Sequence, residues 1–334
     1  MSKKSKLATL EAATQVAFDE QSKEAIITAD SFDWVGANTS ESETIVRPSL
    51  SYFKDAMRRL SKNKVAIACA IYLMIIIILA ILVPIFSKYS VSEIHSTHAN
   101  KGFLFVADDG HMHLFGTDSL GRDLFVRIWS GARISMFIAF TAVFVNFIIG
   151  IVYGGISGYV GGAVDNMLMR IIEVINGIPY LMIVILLMMI MPPGIGTIIV
   201  AYAAVGWTGM ARLVRGQIMT LKEQEYVVAA KTMGARPLRI VAKHLFPNTL
   251  SVVIVNITLA IPSAIFTEAF LSFIGLGVPI PLASWGTLAS DGVRVFQQYP
   301  HMLFLPAIFI SLTMLSFNLL GDALRDVFDP KLRK

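Results

Sequence analysis

The chain has 334 residues, 55% of them hydrophobic and 15% charged, with a formal net charge of +5. Soluble chains carry about 45–50% apolar and about 25% charged residues, so this composition excludes an ordinary soluble domain and defines an integral membrane protein. The single cysteine, Cys69, excludes an intramolecular disulfide, and no basic stripe with interleaved aromatics marks a nucleic-acid partner.

Residues 1–64 are polar and of mixed charge, which reads as a cytoplasmic extension. No short basic segment followed at once by an apolar run opens the chain, so no signal peptide is expected. The extension ends in a candidate surface helix, SYFKDAMRRLSKNK, with Tyr52, Phe53, Ala56, Met57 and Leu60 on one face and Arg58, Arg59, Lys62 and Lys64 around it. The pattern suits the inner surface of a membrane, and a solvated basic flank equally well.

Residues 65–86 are uncharged and long enough to cross a ~30 Å hydrocarbon core. Lys54, Arg58, Arg59, Lys62 and Lys64 just before them place the N-terminal side of this span in the cytoplasm. Residues 87–132 are then an extracytoplasmic loop. Residues 133–159 form the second span, where Gly150, Gly154, Gly155 and Gly158 allow close helix approach.

Residues 174–211 are also uncharged, but as one helix they are about 57 Å long, too long for one crossing. MPPGIG at residues 191–196 divides them into an outgoing third span from about Asn166 and a fourth ending near Arg212. Residues 212–244 then hold seven Lys and Arg, which agrees with a return to the inside. Residues 248–273 are the fifth span, followed by an outer loop whose one basic residue is Arg294. Residues 301–320 are the sixth, and residues 321–334 are a basic cytoplasmic tail. The expected fold is an all-α membrane protein with six spans, both termini cytoplasmic, and residues 133–320 forming a five-helix core around an inner loop at 212–248.

That inner loop holds a short helix over Lys222–Met233, with Tyr226, Ala229, Ala230 and Met233 on one face. Gly234 is a left-handed stop and Pro237 blocks continuation. A second apolar turn, Leu238, Val241 and Leu245, leads through Pro247 into the fifth span. Periodicity alone fits either a helix resting on lipid headgroups or one docked on a partner through its small alanine face.

No Gly-Lys dipeptide occurs, so there is no phosphate-binding loop, and any ATP hydrolysis belongs to another chain. No H-E-x-x-H or G-x-S-x-G motif suggests a protease or hydrolase. A self-sufficient secondary transporter would need a membrane-embedded acidic relay or an inverted repeat, and neither is found.

His95, His98, His111 and His113 share one outer loop with Asp108 and Asp109, which reads as a metal site suited to nickel or as a polar loop without a fixed scaffold. Glu268, near the outer end of the fifth span, either lines a substrate route or hydrogen-bonds within the bundle and fixes an outer gate. Arg170 and Glu173 form a local ion pair, and Asp118, Arg122 and Asp123 order their loop through charge-assisted hydrogen bonds.

The segment AAKTMGARPLRIVAKHLFP resembles the EAA loop of ABC-importer permeases, with Ala229, Ala230, Gly234 and Pro247 at matching spacing. Val228 stands where that family usually has Glu, and Glu225 lies one turn earlier. The blocks FGTDSLGRDLFVRIWSGARISM, VGWTGMARLVRGQIM, EAFLSFIGLGVPIPLASWG and FNLLGDALRDVFDP follow in family order from Phe115 onward. They are similar to the C-type permease subunit of oligopeptide, dipeptide and nickel importers.

The resemblance implies a type I importer permease fold in the bacterial cell membrane. It implies a coupling helix carrying Tyr226, Ala229, Ala230, Met233, Gly234 and Pro247, and an outer signature of Gly116, Thr117, Asp118, Gly121, Arg122 and Asp123. It also implies a second permease subunit, two ATPase subunits binding ATP and magnesium, an external binding protein and a peptide substrate. No cofactor or metal is expected on this chain.

Overall fold

Asn63 opens the first long helix: its side-chain oxygen accepts the backbone N–H groups of Val65 and Ala66, both at 3.1 Å, which satisfies two of the donors a helix start leaves free. The computed structural model describes residues 52–328 apart from 108, 109 and 111. The expected extension before residue 52, the side chains of Tyr52 and Phe53, the loop residues Asp108, Asp109 and His111, and the tail beyond residue 328 lie outside the described residues.

In chain order the helices are α1 (Tyr52–Leu60), α2 (Lys64–Phe86), α3 (Leu124–Val160), α4 (Gly162–Gly177), α5 (Tyr180–Ile190), α6 (Ile195–Val205) and α7 (Trp207–Leu221). They continue as α8 (Glu225–Thr232), α9 (Pro237–Ile240), α10 (Phe246–Phe273), α11 (Trp285–Arg294) and α12 (His301–Phe328). Two short strands, β1 (Phe105–Val106) and β2 (Met112–His113), pair antiparallel in the loop after α2.

Among the described residues, five stretches are long and apolar enough to cross a membrane: α2, α3, α6 with α7, α9 through α10, and α12. The bent pair α4–α5 supplies a sixth if it is one span. Leu73 and Ile76 of α2, Trp129, Met136 and Ala139 of α3, Ala264 and Ile265 of α10, Trp285 and Phe317 form the main core. Apolar side chains elsewhere on the spans are exposed, as on a surface meant for lipid or for another subunit.

Several expected boundaries move, each for a physical reason. The third span is not straight: α4 and α5 meet at 82°. Ile178 precedes a proline and takes extended angles, φ −90 and ψ 125, because the proline ring disfavours the helical region for the residue before it.

The fourth span runs past Arg212 to Leu221, and the second begins at Leu124 instead of Arg133. Arg215 and Arg127 have carboxylate partners, and a paired charge need not end a helix. The sixth helix continues to Phe328, with Gly321 so close to Leu259 that a Cβ would lie 2.6 Å from its side chain.

Candidate functional site

α8 leaves α7 through a three-residue turn, Lys222–Gln224, and is one residue shorter than the expected helix allows at its end. Gly234 has φ +80, and the Ala235 N–H donates to Ala230 O at 3.1 Å, the reach-back bond of a left-handed helix stop. Pro237 occupies the start of α9, where a missing N–H costs nothing. A widened π turn, Val241–Leu245, then brings Pro247 into the first turn of α10. Helical backbone is continuous from Pro237 through α10, and the turn at residues 233–236 joins it to α8.

The expected face of α8 is split. Val227 and Ala230 are buried, and Val227 packs in a cluster with Val214, Ile218, Ile240, Leu245 and Val253. Tyr226, Val228, Ala229 and Met233 are exposed, as are Leu238 and Pro247, with Met233 at 82% and Leu238 at 81%. Two adjacent stripes at helical spacing lie on this short helix, and the bundle buries the one that carries Val227 and Ala230. Ala230 thus seats the helix, while Tyr226, Ala229 and Met233 form its outward face. Glu225 is exposed at the start of that face and Lys231, Arg236, Arg239 and Lys243 surround it.

At the opposite end of the bundle, Glu268 is 1% exposed. Its oxygens accept the hydroxyls of Ser135 at 2.6 Å and Ser272 at 2.7 Å. Ser284 Oγ donates to Ser272 Oγ at 3.2 Å, and Ser284 also caps α11 in a reciprocal capping box with Thr287. The Trp285 indole N–H donates to Ile128 O at 3.1 Å. Of the two expectations for Glu268, the geometry fits hydrogen bonding within the bundle: the carboxylate joins α3 to α10, and Ser135 and Ser272 extend the network to the start of α11.

Asp118 organises the loop before α3. Its Oδ1 accepts the backbone N–H groups of Leu120 and Arg122 at 2.9 Å, and its Oδ2 accepts Arg122 Nε at 2.7 Å, with Arg127 Nε 3.4 Å away. Gly121, at φ +76, is pressed so closely on His95 that a Cβ would lie 1.8 Å from its carbonyl oxygen. Gly116 also has positive φ, and Thr117 donates to His98 O and accepts the Lys101 N–H. Asp123 caps α3 by accepting the Val126 N–H at 2.7 Å and holds His113 Nδ1 at 2.7 Å.

The six signature residues thus build the loop. Among the described residues no three His, Cys, Asp or Glu side chains converge on a metal position. Arg170 Nη1 pairs with Glu173 Oε2 at 2.8 Å on an exposed surface. Reasoning from sequence missed Asp165 and Arg215, which pair bidentately at 2.5 and 2.6 Å. Fifty positions separate them, and no local pattern links one to the other.

A bundle of five or six apolar helices with a terminated, outward-faced helix on a loop between two spans is the architecture of a transport permease. The chain belongs to the family of binding-protein-dependent transport system inner membrane components, whose profile matches residues 147–334. A second profile, the N-terminal TM domain of oligopeptide transport permease C, matches residues 51–102. It is a multi-pass protein of the bacterial cell membrane.

The chain is 52% identical over 295 residues to the dipeptide transport system permease protein DppC of Bacillus subtilis (strain 168), spanning 88% of this chain and 90% of that protein. It is 50% identical over 303 residues to the oligopeptide transport system permease protein OppC of the same organism, spanning 91% and 97%. A solved structure of the MetNI methionine ABC transporter in an inward-facing conformation shares the fold, with a TM-score of 0.50 and 19% identity over 60% of this chain and 96% of that one.

Proposed function

We propose that the chain is one of two membrane-spanning subunits of an ATP-driven importer of short peptides. The observation that carries the reading is the outward face of α8, an apolar and basic surface with no use inside the bundle, in a chain half identical to dipeptide and oligopeptide permeases. In this reading α8 faces the cytoplasm, both termini lie on that side, and Tyr226, Ala229, Met233 and the turn at Gly234 seat in an ATPase subunit. Each of two ATPases binds ATP and magnesium; this chain binds neither and catalyses nothing.

A second permease subunit completes the path, an external binding protein delivers the peptide, and closure of the ATPases swings the bundle between inward- and outward-open states. Glu268 serves as a gate tie and not as a substrate contact, since its oxygens already accept serine hydroxyls. The deciding experiment is substrate-stimulated ATP hydrolysis by the co-purified complex, screened with dipeptides, longer peptides and nickel. Stimulation by peptide supports the reading; stimulation by nickel alone, or transport by the isolated chain driven by an ion gradient, overturns it.

A further inference from the structure

α8 meets the bundle partly at α7, because Val227 shares a buried cluster with Val214 and Ile218 of its last turns. α7 is set against α3 along a seam of glycines. A Cβ at Gly154 would lie 2.2 Å from Ala211 O, and one at Gly158 would lie 2.8 Å from Arg215 O. Backbones in such close contact leave no flexible side chain between them to shear, so α3 and α7 move as one body.

At the end of this seam nearest α8, Arg215 turns its guanidinium onto Asp165, in the first turn of α4. Nε donates to Oδ1 at 2.5 Å and Nη2 to Oδ2 at 2.6 Å. Ser157 Oγ donates to the same Oδ1 at 2.5 Å, and Lys222 Nζ donates to Gly158 O at 3.0 Å. Gly161 alone separates α3 from α4; it and Gly162, the first residue of α4, both have positive φ, and a Cβ at Gly162 would touch nothing. That link offers little resistance to rotation. Further along, Tyr153 and Thr208 each add one hydrogen bond to α4, to Leu168 O at 2.8 Å and to Asn176 Oδ1 at 3.1 Å. Single bonds of this kind allow a swing that a planar two-point pair resists.

We infer that the Asp165–Arg215 pair is the joint that carries displacement of α8 into α4 and the bent α5 beyond it. The role is positional, with no contact to substrate, and it rests on the reading of α8 as the ATPase-docking helix. A bidentate arginine fixes the angle between the two helices as well as their separation, whereas lysine supplies the same charge as a single rotatable point. R215K is therefore the discriminating variant, and D165N, which keeps the size of the side chain and loses its charge, is the second.

The test uses the complete importer with co-expressed partner subunits, in a Cys69→Ala background. Spin labels at Lys231→Cys on α8 and Val174→Cys on α4, both exposed positions, report the distance between the helices. In R215K and D165N the ATPases co-purify as in the parent and basal hydrolysis stays within about twofold, while peptide uptake per ATP falls about tenfold or more, as misplacement remote from a working site can do. The label distance distribution broadens in both variants.

An unchanged distribution with unchanged uptake per ATP in both variants would overturn the joint. Absence of any ATPase bound to the parent complex would instead overturn the docking reading, and the label distances would still decide whether the joint stiffens α4 against α8.

Discussion

Ser135 of α3 donates its hydroxyl hydrogen to Glu268 Oε2 of α10 at 2.6 Å, and the same serine oxygen accepts the Trp285 backbone N–H of α11 at 3.2 Å. One hydroxyl therefore ties three elements at the end of the bundle opposite α8. Ser135→Ala leaves two buried polar groups short of a partner, each costing about 1–3 kcal/mol. The expected result is a clearly lower thermal midpoint for the purified protein. Glu268→Gln should cost less, because the amide keeps one acceptor and the serine hydroxyls can rotate to accept from its NH2 group.

Two neighbouring glycines give an internally controlled comparison. A Cβ at Gly154 would lie 2.2 Å from Ala211 O, while one at Gly155 would meet nothing within 4 Å. Gly154→Ala must push α3 and α7 apart and should destabilise by about 1–3 kcal/mol. Gly155→Ala should be neutral, or stabilising by about 0.4–1 kcal/mol through the unfolded chain. Equal midpoints for the two variants would contradict the close seam.

The outward face of α8 separates docking from folding. Met233→Glu changes an exposed residue and should shift stability by no more than about 0.5 kcal/mol. Under the proposed function, the same change places an uncompensated charge in an interface and should cut ATPase co-purification about tenfold or more. Ala230→Leu has the opposite profile. It overpacks the inward side, costs about 1–3 kcal/mol of stability, and acts on docking only through α8's seat. Gel filtration of the co-expressed subunits, with thermal midpoints measured in parallel, checks both.

Asp118 holds two backbone donors and the Arg122 side chain, and Arg127 stands beside it. Asp118→Asn weakens a set of bonds whose charge-assisted members are each worth about 1.5–3 kcal/mol. Limited proteolysis should cut the loop before α3 several times faster in this variant than in the parent, with the spans still intact. An unchanged cleavage rate would mean that the loop is ordered by its glycine contacts alone.

The expected membrane class survives comparison with the structure, and long apolar helices form over the charge-free runs, because such runs and their basic flanks are properties of consecutive residues. The left-handed stop at Gly234 was legible for the same reason: the glycine and Pro237 act on their own backbone. The loop residues Asp118, Arg122 and Asp123 were legible as a group since their bonds close within a few positions.

Features that depend on who stands opposite were not legible. The inward turn of Val227 and Ala230 was decided by tertiary packing, and two stripes of similar character do not reveal which of them finds a partner. The ends of α3 and α7 were misplaced because Arg133 and Arg212 read as boundaries, whereas the helices extend beyond them through Arg127 and Arg215, whose carboxylate partners lie outside those helices. Consecutive residues determined that this chain crosses a membrane many times and where its inner helix stops, since hydropathy and backbone angles are local. Only the tertiary structure decided that Asp165 meets Arg215 and that Glu268 and Ser135 belong to one network linking three helices, because those contacts come from chain segments brought together by packing.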